Sequence, residues 1–182
     1  MHIKWEDIDV NHQKIKALIT VKEKNDRVIL KDLYSEWKNL SNRIRTISTR
    51  GINLPEAISE NAFCLIAEDY VRVVKLSKGK CSYDCVNIKN GKRAQIKVSS
   101  TSSDLSSFGP KSEWDELYFL DFSKGDGSFK VYKIGAEWVY NCHVNNDQTF
   151  QQQQKQGRRP RFSIVDKIIK PKDLKPIGIY KL

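Results

Sequence analysis

The sequence predicts an α/β fold in which a mixed central β-sheet is flanked by helices. Three observations support this prediction: short runs rich in β-branched and aromatic residues, two stretches with helical apolar spacing, and an Asn-Gly pair between two of the strand-like runs. The length of 182 residues fits a single domain with a sizeable core. A composition of 39% hydrophobic and 30% charged residues is typical of a globular protein with a charged surface.

The N-terminal part, residues 1–53, is expected to be mainly helical. Apolar residues recur at helical spacing between residues 8 and 45, namely at Ile15, Leu18, Ile19, Leu33, Trp37 and Leu40. A second helix is predicted from about Pro55 to Glu68, because proline is favourable in a first helical turn and the run from Ala62 is apolar. It opens a core region, residues 54–135, which is followed by a C-terminal part, residues 136–182, that includes further strands.

Three further strands are predicted at Tyr70 to Leu76, Glu113 to Phe122 and Ser128 to Ile134. Between them, Ser99 to Lys111 is rich in Ser, Thr, Gly and Pro and is expected to form a loop.

The most informative segment runs from Cys81 to Ser100 and predicts a β-hairpin. Asn-Gly is the strongest short hairpin signal, so Asn90 and Gly91 are expected to form a two-residue turn. That turn sets Val86 opposite Gln95 and Asp84 opposite Lys97. Because side chains alternate along a strand, Asp84, Gln95 and Lys97 share one face. The opposite face is expected to enter the core, with Tyr83, Cys85, Ala94, Ile96 and Val98.

A carboxylate, an amide and a lysine on one face have a chemical use. The carboxylate of Asp84 can hold a divalent cation, and the amide oxygen of Gln95 can add a second hard ligand. Lys97 can orient or deprotonate water, or stabilise charge that develops on a phosphate. The alternative is an ordinary hairpin in which Asp84 and Lys97 form a cross-strand ion pair, since such pairs are common.

This segment resembles the PD-(D/E)XK nuclease core, in the variant with glutamine at the second acidic position. Asp84 matches the first acid, Gln95 the variable position and Lys97 the lysine, while Tyr83 stands where the motif has proline. Residues 54 to 165 as a whole resemble a small type II restriction endonuclease. The resemblance rests on an ordered set of segments around the hairpin: Leu54-Pro-Glu-Ala-Ile-Ser-Glu60-Asn, Ser99-Ser-Thr-Ser-Ser-Asp104-Leu, Trp114-Asp-Glu-Leu-Tyr-Phe-Leu-Asp121 and Gln156-Gly-Arg-Arg-Pro-Arg-Phe-Ser163.

The resemblance implies a restriction-endonuclease-like fold and Mg²⁺-dependent cleavage of double-stranded DNA at a short site, with Mn²⁺ able to substitute. It also implies a homodimer, and a cognate DNA methyltransferase as genetic partner. In this family a helix of the kind predicted at Pro55 often carries a further acid that reaches the metal. Glu60 is the first candidate and Glu56 the second; alternatively, both glutamates only favour the positive end of the helix dipole.

The net charge of +10 and the pI of about 9.4 indicate a polyanionic partner, with nucleic acid as the leading candidate. No membrane association is expected, because the positive charge is spread along the chain and no long apolar run occurs. Without a secretory signal at the start, a cytoplasmic location is expected. Residues 136–182 are expected to include the DNA-recognition segment. Candidate DNA-binding residues are polar or basic and lie in the loop after the hairpin and in this segment: Ser99, Gln148, Lys155, Arg158, Arg159 and Arg161.

Two other functions remain open on the sequence. One is a repair or recombination nuclease that recognises DNA structure on the same core. The other is a DNA-binding regulator without catalysis, although no convincing helix-turn-helix pattern is present.

Overall fold

The computed structural model describes all 182 residues and confirms the predicted α/β class. Its strands are β1 (His2–Val10), β2 (Gln13–Val21), β3 (Tyr70–Leu76), β4 (Cys85–Asn87), β5 (Arg93–Ser99), β6 (Ser106–Ser107), β7 (Glu116–Asp121), β8 (Ser128–Ile134), β9 (Arg161–Phe162) and β10 (Gly178–Lys181). Its helices are α1 (Asp26–Arg45), α2 (Glu56–Ile66), α3 (Ala136–Tyr140) and α4 (Phe150–Lys155), with a π-helical turn at Val165–Ile169.

Eight strands form one mixed sheet in the order β1-β2-β3-β4-β5-β7-β8-β10. All neighbours are antiparallel except β5 and β7, which run parallel in the middle of the sheet. The remaining strands, β6 and β9, pair separately and join the loop after β5 to the C-terminal segment. No helix has both the length and the apolar character needed to cross a membrane.

The N-terminus corrects the helical prediction for residues 8 to 45, which holds only for α1. Residues 2–21 form the hairpin of β1 and β2, in which Val10 lies opposite Gln13. Asn11 and His12 make the turn with φ angles of 49° and 66°, as a two-residue hairpin turn requires. The helical interpretation failed because the spacing of Ile15 and Ile19 fits both a helix and the alternation of a strand.

The sheet separates two apolar clusters, and β7 contributes to both by alternation. Tyr118 and Leu120 face the cluster that also includes buried residues of α1 and α2. Leu117 and Phe119 face a second cluster, formed with the C-terminal segment that includes Phe150. The helices α1 and α2 therefore cover one face of the sheet and the C-terminal segment covers the other.

Candidate active site

The predicted hairpin is formed by β4 and β5, but its register differs from the prediction by two residues. Val86 lies opposite Arg93 and Cys85 opposite Ala94. Residues 88–91 therefore form a longer loop than the two-residue turn expected at Asn90-Gly91. A shift of two leaves the side chains of the paired strands on their predicted faces, because strand alternation has a period of two; only Tyr83, which precedes β4, departs from its predicted place and packs with the N-terminal hairpin. The shift does, however, bring Gln95 opposite Asp84, where Lys97 had been expected.

The side chain of Asn87 explains the longer loop. Its Oδ1 accepts hydrogen bonds from the backbone N–H of Lys89 at 2.9 Å and of Asn90 at 3.2 Å. The backbone N–H of Gly91, which has a φ of 72°, donates to the carbonyl of Asn87 at 2.8 Å. An asparagine that bonds to the backbone two residues ahead replaces the tight turn with a wider one.

Asp84 is the centre of the polar face. Its Oδ2 accepts hydrogen bonds from the side-chain Nε2 of Gln95 and, at 2.7 Å, from the backbone N–H of Ile96. Its Oδ1 accepts no hydrogen bond from the protein. Burial is the main cause that raises the pKa of Asp84; the N–H of Ile96 and the charge of Lys97 oppose the increase. The carboxyl is thus held in place through one oxygen while the other stays free.

Lys97 lies on the same face, partly buried, and forms no ion pair with Asp84. The cross-strand ion pair considered as an alternative is therefore absent. The ammonium group of Lys97 sits 4.9 Å from the ring centroid of Phe108. Burial lowers the pKa of Lys97, and the nearby negative charges of Asp84, Glu56 and Glu60 oppose that decrease. A lysine with a lowered pKa gives up a proton more readily than an exposed one.

The second helix is present as predicted, with Pro55 preceding its first residue, and it carries both candidate glutamates. Glu60 is buried, with 6% of its surface exposed, and its Oε2 accepts a hydrogen bond from Nε of Arg72 on β3. Burial, and next the charge of Asp84, raise the pKa of Glu60. Glu56 is exposed, and its charge contributes to the increase in the pKa of Asp84.

The C-terminal segment reaches this site through Arg159. A cavity of about 680 Å³ is lined by residues of the hairpin, the loop after β5 and the C-terminal segment, including Asp84, Gln95, Lys97, Tyr83, Ser107 and Arg159. Arg159 forms no ion pair with a carboxylate of the chain, and its positive charge helps to lower the pKa of Lys97. One predicted DNA-binding residue thus lies beside three of the four predicted catalytic residues, 62 positions after Lys97 in the chain.

The other predicted DNA-binding residues lie apart from this cavity. Arg158 donates a hydrogen bond from Nη1 to Oε1 of Gln148 at 3.4 Å. Lys155 is exposed at the end of α4, and Arg161 is exposed on β9. Ser99 is buried, and its hydroxyl donates to the carbonyl of Thr101 at 2.9 Å, so its side chain stabilises its own loop. Contact of these residues with DNA stays a prediction.

Two structural features were missed by the sequence reasoning. Arg72 anchors Glu60, and its position on a strand before the hairpin gave no signal for this role. Asp104 joins the loop after β5 to the C-terminal segment by accepting hydrogen bonds from Ser106 Oγ, Ser163 Oγ and the backbone N–H of Ile164 and Val165. We refer to these five residues as the Asp104 clasp. An acidic residue in a serine-rich segment is common, so the role of Asp104 can be recognised only from the distant residues that donate hydrogen bonds to it.

The donor atoms at the site suit a hard divalent cation. The two carboxyls each keep one oxygen free of protein hydrogen bonds, Oδ1 of Asp84 and Oε1 of Glu60. No cluster of three or more His, Cys, Asp or Glu side chains is arranged to hold a metal ion. Asp84 and Gln95 line the cavity, whereas Glu60, which is paired with Arg72, does not. An ion in the cavity would therefore depend on water and substrate for most of its ligands, which is how Mg²⁺ is usually bound.

Comparison with known proteins gives a consistent result. The family model described as Bsp6I restriction endonuclease matches residues 22–171 of the chain. The type II restriction enzyme Bsp6I of Bacillus sp. (strain RFL6) is 35% identical over 154 residues, which cover 82% of this chain and 84% of that enzyme. No solved structure matches the chain.

Proposed function

The chain belongs to the Bsp6I restriction endonuclease family and is a type II site-specific deoxyribonuclease, and from this premise we propose how its site works. We infer that Asp84, Gln95, Lys97 and Glu60 act on the scissile phosphodiester of double-stranded DNA with Mg²⁺ as the cofactor. The observation that carries this proposal is the convergence of Asp84, Gln95, Lys97 and Arg159 on one open cavity. Mn²⁺ is expected to substitute for Mg²⁺, because both prefer oxygen ligands.

Asp84 and Glu60 are the anionic ligands in this proposal. When bound, the ion polarises the phosphate and lowers the pKa of a coordinated water. Burial raises the pKa of both carboxyls, and the charge of Asp84 adds to the increase at Glu60; a bound cation would favour their charged forms. Glu56 is the second candidate for the outer ligand, since its charge is close enough to act on Asp84.

Gln95 has two possible orientations, and only one of them offers a ligand. In the structure its Nε2–H donates to Oδ2 of Asp84. A half-turn of the amide would exchange the two atoms and present oxygen to an ion held by Asp84. Gln95 therefore steadies Asp84 when no ion is bound and supplies a neutral ligand when one is.

Lys97 and Arg159 supply the positive charge on the other side of the phosphate. Hydrolysis forms a bond from a water oxygen to phosphorus and breaks the bond to the leaving sugar oxygen, while the charge on the phosphoryl oxygens increases. Lys97, with its lowered pKa, takes the proton of the attacking water or stabilises that charge. Arg159 binds a phosphoryl oxygen, which guanidinium does in fixed geometry.

The proposed activity implies an oligomeric state, a genetic partner and a location in the cell. A palindromic site requires two symmetric active sites, so the enzyme is expected to act as a homodimer. A DNA methyltransferase that protects the host's own sites is the expected genetic partner, and a cytoplasmic location gives access to incoming DNA.

Digestion of a plasmid of known sequence tests the proposal. With Mg²⁺ we expect discrete linear fragments, and with excess EDTA no cleavage. Sequencing of the fragment ends then gives the recognition sequence, the cut position and the type of end. Random nicking, or cutting only at branched junctions, would indicate a repair or recombination nuclease, while binding without any metal-dependent cleavage would indicate a regulator.

A further inference from the structure

The loop after β5 lies between the catalytic cavity and a second cavity of similar size. This second cavity has a volume of about 670 Å³ and is lined by Arg45, by residues 49–53 and by residues of the loop between positions 100 and 105. We refer to it as the arginine cleft. The later part of the same loop, including Ser107 and Lys111, lines the catalytic cavity. The two cavities therefore share one wall.

The arginine cleft contains two cations without a carboxylate partner. Arg45 is the last residue of α1 and Arg50 lies in the segment that follows; both side chains are exposed, and neither forms an ion pair or a side-chain hydrogen bond within the chain. Asp104 is the one acidic residue that lines the cleft, and its carboxylate already accepts the four hydrogen bonds of the Asp104 clasp. The two guanidinium groups are thus available to an anion that enters the cleft.

The neutral side chains of the cleft supply further hydrogen-bond donors. The hydroxyls of Thr49, Ser100 and Ser103 line it and form no hydrogen bond within the chain. Its apolar side chains are limited to Ile52 and Leu105. Arginine together with serine and threonine hydroxyls is the set of side chains that commonly contacts the phosphate oxygens of DNA, so the chemistry of the cleft suits a phosphate.

Both walls of the cleft are held in place by the fold. On one wall, Nε1 of Trp37 donates to the carbonyl of Asn53 at 3.0 Å, and Oγ of Ser41 accepts from the backbone N–H of Ile52 at 3.0 Å. On the other wall, the Asp104 clasp fixes the loop after β5 to the C-terminal segment. A cleft with fixed walls binds its ligand without a large cost of ordering the chain.

Both walls also continue into the catalytic site. Ser100 follows β5 directly, three residues after Lys97, and three residues of a strand span about 10 Å. On the other wall, Asn53 lies three residues before Glu56, whose charge acts on the pKa of Asp84 and of Lys97. The cleft therefore lies close to the position expected for the scissile phosphate, but outside the cavity in which it is cut.

We propose that the arginine cleft binds a backbone phosphate of the DNA substrate, a few nucleotides from the scissile phosphate, with Arg45 and Arg50 as the cationic contacts. The contact positions the duplex over the catalytic cavity and recognises no base. This inference rests on the proposed function, because double-stranded DNA is the polyanion that the activity brings to the site.

The salt dependence of DNA binding tests the cleft in the full chain, with Ca²⁺ in place of Mg²⁺. Arg45→Ala and Arg50→Ala should each weaken binding about tenfold on matched and unrelated duplexes alike, because each removes a charge-assisted hydrogen bond. A plot of the logarithm of the association constant against that of the salt concentration should become shallower by about one.

Arg43→Ala is the matched control. Arg43 is exposed in the same last turn of α1 and carries the same charge, but it points about 200° around the helix from Arg45 and does not line the cleft. Its removal should leave the affinity within about twofold of wild type. Equal weakening by Arg43→Ala and the two cleft variants would mean that only net charge acts, and it would overturn the assignment.

A second substitution separates loss of charge from damage to the fold. Arg50→Lys keeps the charge, so it should retain the wild-type salt dependence, and the thermal transitions of all variants should match that of the wild type. Unchanged affinity and salt dependence in Arg45→Ala and Arg50→Ala, in an enzyme that binds and cleaves DNA, would overturn the cleft and leave the proposed function standing. A wild type that neither binds nor cleaves DNA would overturn both.

A neutral methylphosphonate, placed at one phosphate of the duplex at a time, locates the contact. At the phosphate in the cleft, the substitution should weaken binding by the wild type and have little further effect on Arg50→Ala, so the two losses are not additive. This phosphate should lie within about three nucleotides of the cut, because successive phosphates of one strand are 3.4 Å apart along the helix axis. Additive losses at every position, or non-additive losses only at the scissile phosphate, would overturn the separate phosphate site.

Discussion

The hairpin site and the Asp104 clasp both centre on an aspartate, and they differ in how fully that aspartate is hydrogen-bonded. In the clasp, Asp104 accepts four hydrogen bonds that use both carboxylate oxygens. At the hairpin, Asp84 accepts two hydrogen bonds through the same oxygen, and its other oxygen is free. The pKa of Asp84 is raised, because its hydrogen bond from Ile96 and the charge of Lys97 do not fully offset the cost of burying the charged carboxylate.

The difference separates structural from chemical use of the same residue type. A carboxylate with all of its acceptor positions occupied fixes the chain segments around it and has little left to offer a ligand. A carboxylate that is short of partners gains most when a cation or substrate arrives. The two sites therefore predict opposite consequences of mutation: loss of chemistry at Asp84 and loss of stability at Asp104.

The largest effect is expected at the hairpin site. Asp84→Ala and Lys97→Ala should each reduce cleavage by at least about a thousandfold, because each removes a charge that acts on the reacting phosphate. Single-turnover rates on a plasmid that carries the site would measure the loss. Both variants should still fold, although Asp84→Ala leaves the backbone N–H of Ile96 without its acceptor, and Lys97→Ala should still bind DNA through contacts elsewhere. Retention of most activity by either variant would refute the site assignment.

The clasp should show the reverse behaviour. Asp104→Ala is expected to lower the free energy of unfolding by roughly 2–4 kcal/mol, because it leaves two backbone N–H groups and two hydroxyls without their acceptor. Below the melting transition its cleavage rate should stay within a few-fold of wild type. Urea unfolding together with the single-turnover rate measures both quantities. Asp166→Ala is the control: it also removes an acceptor of Ser163, but at an exposed position, and little change is expected.

The arginines of the C-terminal segment extend the comparison to DNA binding. Arg159→Ala should weaken binding to every DNA sequence alike, because Arg159 lies in the cavity where the phosphate is expected. At least one of Arg158 and Arg161 should read a base, and its removal should cost about 1–3 kcal/mol on the recognition site and little on unrelated DNA. Binding to matched and scrambled duplexes, with Ca²⁺ in place of Mg²⁺, measures the difference. Uniform losses for all three would locate sequence recognition elsewhere in the chain.

The smallest effect is expected at Gln95. Gln95→Glu places a second carboxylate opposite Asp84 and removes the N–H that bonds to it, so the variant should be less stable without metal. It should bind Mg²⁺ or Mn²⁺ roughly tenfold more tightly, because these ions prefer charged oxygen ligands. Cleavage at saturating metal should not be faster, since the rate depends on the geometry of the bound phosphate.

Melting temperatures over a metal titration report the affinity independently of activity. An unchanged metal dependence in Gln95→Glu would show that Gln95 lies outside the coordination shell of the ion. Gln95→Asn, which keeps the amide on a shorter side chain, is the matched control and should not raise the affinity.

Local sequence patterns determined the parts of this protein that depend on neighbours in the chain. The Asn-Gly hairpin, the alternation that sets Gln95 and Lys97 on one face and the helix after Pro55 follow from turn geometry, strand alternation and capping preferences. The face assignment held even though the register was wrong by two residues, because alternation has a period of two. Tyr83 is the exception: it packs with residues of β1 and β2 instead of with the apolar cluster that includes α1 and α2.

Only the tertiary structure decided the contacts between segments that are far apart in sequence. Among these are the pairing of Glu60 with Arg72 and the clasp that joins Asp104 to Ser163. Another is the position of Arg159, but not of Arg158, at the cavity that Asp84, Gln95 and Lys97 line. It also decided that residues 2–21 form a hairpin, since Ile15 and Ile19 satisfy both a helical and a strand spacing. Local patterns reflect interactions within a few residues, whereas these arrangements depend on which distant groups can be buried and hydrogen-bonded together.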